Sequence, residues 1–263
     1  MTKEFTQAKQ LIEDSRRILL TMHERMDGDD GGALLAIGHQ LEKMGKLVTY
    51  AIKKGVPPEA IKVFGIPIQL SFAKRLNKKM IADKLGFYLN SPIFLIMGGG
   101  QGLGPIKVVV KSLMKVNSNF QMIVLAGTNQ GLVRWLKKIP KKTDKRIAVY
   151  EYVDNVDELM EISTLIITKP GGMTTSEALA KGLPMVVINP LPGQEMRNTD
   201  FLLKHGVAIR VDKTNDIGEE IDLLLRSPER LAAMRKASLE NGHPYAALDI
   251  SKLILQHSPL HNH

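Results

Sequence analysis

Cysteine is absent from the 263-residue chain. That removes disulfides, thiolate metal sites and a cysteine nucleophile together, and it suits a reducing compartment. Aromatic residues make up only 5%, too few to build the stacking platforms that single-stranded nucleic acid needs, so nucleic acid is not an expected partner. No apolar run approaches the roughly 18 to 20 residues that cross a bilayer, and the start, Met1-Thr2-Lys3-Glu4, lacks a signal peptide's apolar core. The expected location is the cytoplasm.

What is present is an ordinary globular composition, 44% hydrophobic, with a net charge of +9. Such a balance draws the chain toward something anionic: a nucleic acid, an anionic lipid surface or a phosphate-bearing ligand. Two basic clusters stand out, Lys74-Arg75-Leu76-Asn77-Lys78-Lys79 and the run from Lys137 to Arg146, neither interleaved with aromatics. They read as solvated faces, with contact to anionic headgroups at the inner face of a membrane as the sharper alternative.

Apolar runs of strand length recur at Ile18–Met22, Leu47–Ile52, Ile93–Met97, Met122–Leu125, Ile147–Tyr150, Leu165–Thr168, Met185–Ile188 and Val207–Val211, with helix-like stretches between them. Continuous apolar runs, unlike alternating ones, suit strands covered on both faces. The fold class is therefore α/β, a doubly wound parallel sheet. Pro105 opens one helix, Gly182 and Pro184 close another, and Ile217–Arg226, Pro228–Glu240 and Pro244–Gln256 read as closing helices.

Three loops follow these strands. Gly98-Gly99-Gly100-Gln101-Gly102-Leu103-Gly104-Pro105 is nearly free of Cβ atoms and leads into a helix, an arrangement that lets backbone amides approach an anion. The second, Lys169-Pro170-Gly171-Gly172-Met173, runs into Thr174 and Glu177. Their Thr-x-x-Glu spacing reads either as a capping box or as a carboxylate placed to accept from ribose hydroxyls, and spacing alone favours the cap. The third, from Asn189 to Asn198, is polar and stiffened by Pro190 and Pro192.

In this order, Gly65-Ile66-Pro67-Ile68, Met97–Pro105, Gly127-Thr128-Asn129, Lys169–Pro184 and Pro192–Asn198 resemble the C-terminal domain of glycosyltransferase family 28, within the GT-B architecture. Lys169-Pro170-Gly171-Gly172 and Pro192-Gly193-Gln194-Glu195 are most similar to the diacylglycerol glycosyltransferases of that family, over roughly Lys53 to Leu255. The resemblance implies a Rossmann-like half that binds a UDP-sugar, and hexosyl transfer to a lipid acceptor such as diacylglycerol with no metal cofactor. It assigns Gly99, Gly100 and Gly102 to the donor diphosphate, and Gly127, Gly172 and Thr174 to the same pocket. Glu177 goes to the ribose, Gln194 and Glu195 to the transferred sugar, and Asn198 to support of that loop. Backbone near Val153 would read the uracil, although Glu151 stands where the family has a small residue.

Residues 1–52 do not share this likeness. A strand, then His23-Glu24-Arg25-Met26-Asp27-Gly28-Asp29-Asp30, a helix over Ala33–Met44 and a second strand resemble the opening βαβ unit of a DHH-type phosphoesterase. In that family the matching His23, Asp27 and Asp29 bind divalent metal. No Asp-His-His triplet follows downstream, so a solvated acidic turn is the plainer reading. The expected domains are thus 1–52 and 53–263. The acceptor half of a GT-B enzyme, typically about 150 residues, has no counterpart here, and a partner chain is one source for it. Three functions compete: a glycosyltransferase in which His23 is the only candidate base, a nucleotide-sugar-binding module without turnover, and a Mn²⁺- or Mg²⁺-dependent phosphoesterase.

Overall fold

The structure, a computed structural model, describes residues 17–21, 47–51, 63–100, 102, 104–139 and 145–256. The chain divides into two compact units, Met1–Pro67 with Tyr245–His263, and Ile68–Pro244. In the first unit β1 (Arg17–Thr21) and β2 (Leu47–Ala51) pair in parallel, Arg17 opposite Leu47 and Thr21 opposite Ala51. The helix expected between them lies outside the described residues.

The second unit is a parallel sheet of six strands: β3 (Ile93–Met97), β4 (Gln121–Leu125), β5 (Ile147–Tyr150), β6 (Leu165–Thr168), β7 (Met185–Ile188) and β8 (Ala208–Val211). Their spatial order is β5-β4-β3-β6-β7-β8. The strands expected from apolar runs form at those places, with ends shifted by at most a residue.

Buried β-branched and aliphatic residues explain the sheet. Alternate residues of β3 divide between two cores: Ile93, Leu95 and Met97 join Phe72, Leu159 and Leu179 on one face. Phe94 and Ile96 join Val109, Leu132 and Ile221 on the other. Helices cover both faces, as a strand apolar in every position requires. They are α1 (Lys78–Leu85), α2 (Ile106–Leu113), α3 (Gln130–Lys137), α4 (Val156–Ile162), α5 (Gly172–Lys181), α6 (Gln194–Lys204), α7 (Ile217–Leu225) and α8 (Pro228–Asn241). A last helix, α9 (Ala246–Gln256), falls in the first unit.

The topology itself selects a site. Chain direction across the sheet reverses between β3 and β6: connections from β3 run to β4 and β5, those from β6 to β7 and β8. Loops leaving the carboxyl ends of β3 and β6 therefore part to opposite sides, and the crevice they leave is where open α/β sheets take ligands. Met97 and Thr168 are register partners, so the two loops depart side by side.

Candidate functional site

The loop after β3 is held down by the loop after β4. Thr128 N donates to Gly100 O at 3.1 Å, and Asn129 Nδ2 donates to Gly102 O at 3.2 Å while its Oδ1 caps α3 by accepting from Leu132 N. Two glycines allow this contact. A Cβ on Gly102 (φ +59°) would lie 2.0 Å from Ala126 O, and one on Gly127 (φ +54°) would lie 2.2 Å from Gly100 O. Both positions are closed to any side chain, by sterics and by backbone conformation. Gly99 (φ +71°) and Gly100 differ in their surroundings: among the described residues a Cβ on either meets nothing within 4 Å. Their backbone faces open space, which leaves room for a ligand.

Across the crevice, α5 begins earlier than the Thr174–Glu177 spacing suggests. Gly171 is its N-cap and supplies no side chain, so Thr174 is the third helical residue and the expected capping box does not form. The two glycines ahead of Thr174 already accept helical geometry, which moved the start. A helix start without a side-chain cap leaves its first amides unpaired. Among the described residues nothing accepts from the amides of Gly172, Met173 or Thr174. These three N–H groups sit at the positive end of the helix, where an anion is favoured.

One turn on, Glu177 is half-buried, and burial pushes its carboxyl up to about 7. No hydrogen bond or ion pair reaches it from the described residues. A carboxylate drawn from water without compensation is stabilised by hydrogen-bond donors that a ligand brings.

The third loop is pinned to the second. Lys169 Nζ pairs with Glu195 Oε1 at 3.0 Å with both side chains largely buried, and Glu195 Oε2 accepts from Leu191 N at 2.7 Å. Asn198 Nδ2 donates to Pro170 O at 2.8 Å, and Thr199 Oγ1 donates to Glu195 O. Asn189 opens this loop at φ +44°, a left-handed conformation that asparagine tolerates better than most residues.

The structure thus gathers Gly99, Gly100, Gly102 and Gly127 on the β3 side of the crevice. Gly172, Thr174 and Glu177 stand on the β6 side, with Glu195 and Asn198 joined to it through Lys169 and Pro170. Gln194 is the first residue of α6. Val153 stands apart, in the loop after β5 and half-buried against the core. His23, Asp27 and Asp29 lie outside the described residues. Among the described residues no cluster of His, Asp and Glu is arranged to hold a metal, and no helix is long and apolar enough to cross a membrane. Sequence reasoning gave no role to Lys169, Asn129 or the Met173 amide. The Lys-Pro-Gly-Gly run was visible, but the partner of its lysine comes from another strand's loop.

Comparison with known proteins matches residues 93–250 to the glycosyltransferase family 28 C-terminal domain. A processive diacylglycerol beta-glucosyltransferase of Bacillus cereus (strain B4264) is 36% identical over 184 residues, 70% of this chain and 47% of that protein. The enzyme of the same name from Bacillus cytotoxicus is 34% identical over 206 residues, 78% of this chain and 53% of its own. The chain spans about half the length of the curated relatives it matches. Among solved structures, MurG of Acinetobacter baumannii superposes with a TM-score of 0.61 at 18% identity, covering 96% of this chain and 77% of that one. S. aureus MnaA in complex with UDP does so with a TM-score of 0.61 at 18% identity, covering 97% and 79%. These two likenesses establish the fold.

Proposed function

The chain belongs to glycosyltransferase family 28, and from that membership and the crevice geometry we propose that it binds a UDP-sugar at the β3–β6 junction and serves hexosyl transfer to a lipid hydroxyl such as that of diacylglycerol. The observation that carries the reading is the pairing, on one helix, of three unpaired first-turn amides with a half-buried carboxylate one turn later. The amides and the open backbone of Gly99 and Gly100 suit a diphosphate, and Glu177 suits the ribose diol. Gly102 and Gly127 hold the loop in position for this. Gln194 and Glu195 face the hexose, and Asn198 fixes their loop to Pro170. Backbone at Val153 takes the uracil.

In the reaction, an acceptor oxygen attacks the anomeric carbon, its proton passes to a base, and UDP leaves with the bonding electron pair. The crevice contributes to the last event. Backbone dipoles already oriented at the diphosphate stabilise the charge that grows on it, so no metal is required. We assign the acceptor site and the base to the part of the relatives that lies outside their match to this chain, and a partner chain is one source for them. The basic surface suits work at the inner face of an anionic membrane. A chain that holds the nucleotide sugar without turning it over is the second reading.

Calorimetric titration with UDP and UDP-glucose, without metal, tests the proposal. Wild-type binding that Glu177→Ala weakens supports it; absence of binding to either nucleotide overturns it.

A further inference from the structure

The end of the sheet opposite the crevice, where the strands begin, carries a concentration of positive charge. Thr164 and Pro184 immediately precede β6 and β7, and with Lys78 of α1 and Arg235 of α8 they line a cleft of about 310 Å³ at the strands' amino ends. Water occupies roughly 30 Å³ per molecule, so the cleft has room for a phosphoryl group with part of its hydration.

Four cations meet around it. Lys181 is fully buried and spends its charge on Glu161 at 2.8 Å, with a further bond to Lys74 O at 2.7 Å. Arg75 donates to Lys181 O. Lys78 and Arg235 both line the cleft, and among the described residues no carboxylate lies within ion-pairing distance of either. Burial, and after it the Arg235 guanidinium, hold the Lys78 ammonium below its ordinary value; Arg75 and Lys181 push the same way, and Glu161 alone opposes them. Lys78 is also the first residue of α1, at the helix end where a cation is disfavoured. Like charges gathered in a partly dehydrated cleft cost stability, and an anion that bridges them removes the cost.

We infer that this cleft is a second binding site, distinct from the donor crevice, that takes a phosphate-class oxyanion between the Lys78 ammonium and the Arg235 guanidinium. Arg235 offers the forked donor geometry that grips two oxygens of one phosphoryl group, and Lys78 supplies a point charge beside it. The same chemistry serves free phosphate and a phospholipid headgroup. Leu89 lines the cleft, and Met80, Tyr88 and Leu89 are exposed nearby in sequence.

The test is a phosphate titration of the full chain held at saturating UDP, read at the Lys78 side-chain nitrogen by NMR. The expected result is a saturable Lys78 shift with its pKa rising on binding, weakened about tenfold or more in Arg235→Gln by loss of a charge-assisted contact. Lys84→Gln, which removes a cation paired with Glu158 elsewhere on α1, should leave the response intact. Flotation with phosphatidic acid vesicles separates the two sources. Retention that drops in Arg235→Gln assigns the site to a lipid headgroup, and equal retention beside a phosphate response that Arg235→Gln weakens assigns it to free phosphate. A Lys78 signal that ignores phosphate, or an Arg235→Gln response equal to wild type in a chain of unchanged melting temperature, overturns the inference.

Discussion

The 3.0 Å ion pair between Lys169 and Glu195 joins the loop after β6 to the first turn of α6 on one side of the crevice, with 15% and 18% of the two side chains exposed. It makes two loops from different strands into one wall. Replacing Lys169 by Ala strands a carboxylate in a largely dry position, at a cost of about 1–3 kcal/mol. Glu195→Gln, which still accepts from the Leu191 amide, should cost less stability yet lower affinity for UDP-glucose more than for UDP. Urea unfolding beside calorimetry reads both; equal loss of the two ligands would remove Glu195 from the sugar pocket.

Gly127 and Gly100 touch the same backbone contact from opposite sides and should fail differently. Gly127→Ala puts a Cβ against Gly100 O at positive φ, so a fall in stability of about 1–3 kcal/mol is expected, with the melting temperature dropping accordingly. A Cβ at Gly100 meets no neighbour among the described residues, so Gly100→Val has open space to enter. Its stability should stay within about 0.5 kcal/mol of wild type while UDP binding disappears. Retained affinity in Gly100→Val would take the open loop out of the donor site.

Glu177 gives the site a pH dependence with a definite sign. Its carboxyl is raised from 4.5 to about 7 by burial, so the folded chain favours the protonated form. The associated stability is fully present below about pH 4.5 and is lost as pH rises through about 7. Glu177→Gln should therefore match wild type in acid and exceed it in melting temperature above neutrality. Ribose hydroxyls donate to the charged form, so UDP affinity should climb through the same window and binding near pH 7 should release a proton. Calorimetry in buffers of different ionisation enthalpy detects that proton, and its absence would place the ribose elsewhere.

The Lys181–Glu161 pair lies in the core with both side chains almost fully buried. Lys181→Met leaves Glu161 without its partner and should cost about 3–5 kcal/mol, and Lys181→Met with Glu161→Leu should recover most of that. A double-mutant cycle in urea measures the coupling; additive losses would show that the two side chains do not stabilise each other.

Strand positions were legible because β3 and β7 are apolar in every residue and β6 in all but Thr168, a pattern that suits a doubly covered sheet. The strand order was not written locally: that β6 rather than β5 neighbours β3 depends on which connections cross which face. Thr174 and Glu177 have the spacing of a cap, and Gly171-Gly172 ahead of them let the helix begin sooner, so a reading by spacing alone misplaced its start. Gly102 and Gly127 look the same in sequence as Gly99 and Gly100. Only the approach of Ala126 O and Gly100 O separates glycines that hold backbone to backbone from those that leave a space.

The sheet order also sets when the crevice can exist. Strands β3, β4 and β5 occupy one continuous stretch of chain and β6, β7 and β8 the next. During synthesis the first stretch can pair within itself and still presents the flank of β3 as an open edge, a template for any stray strand. Only emergence of β6 closes that flank, through a contact between distant parts of the chain that forms slowly. The crevice opens on this same seam, so donor capture would report that the two halves of the sheet have joined, and a chain stalled before β6 would be blind to the nucleotide and prone to aggregate.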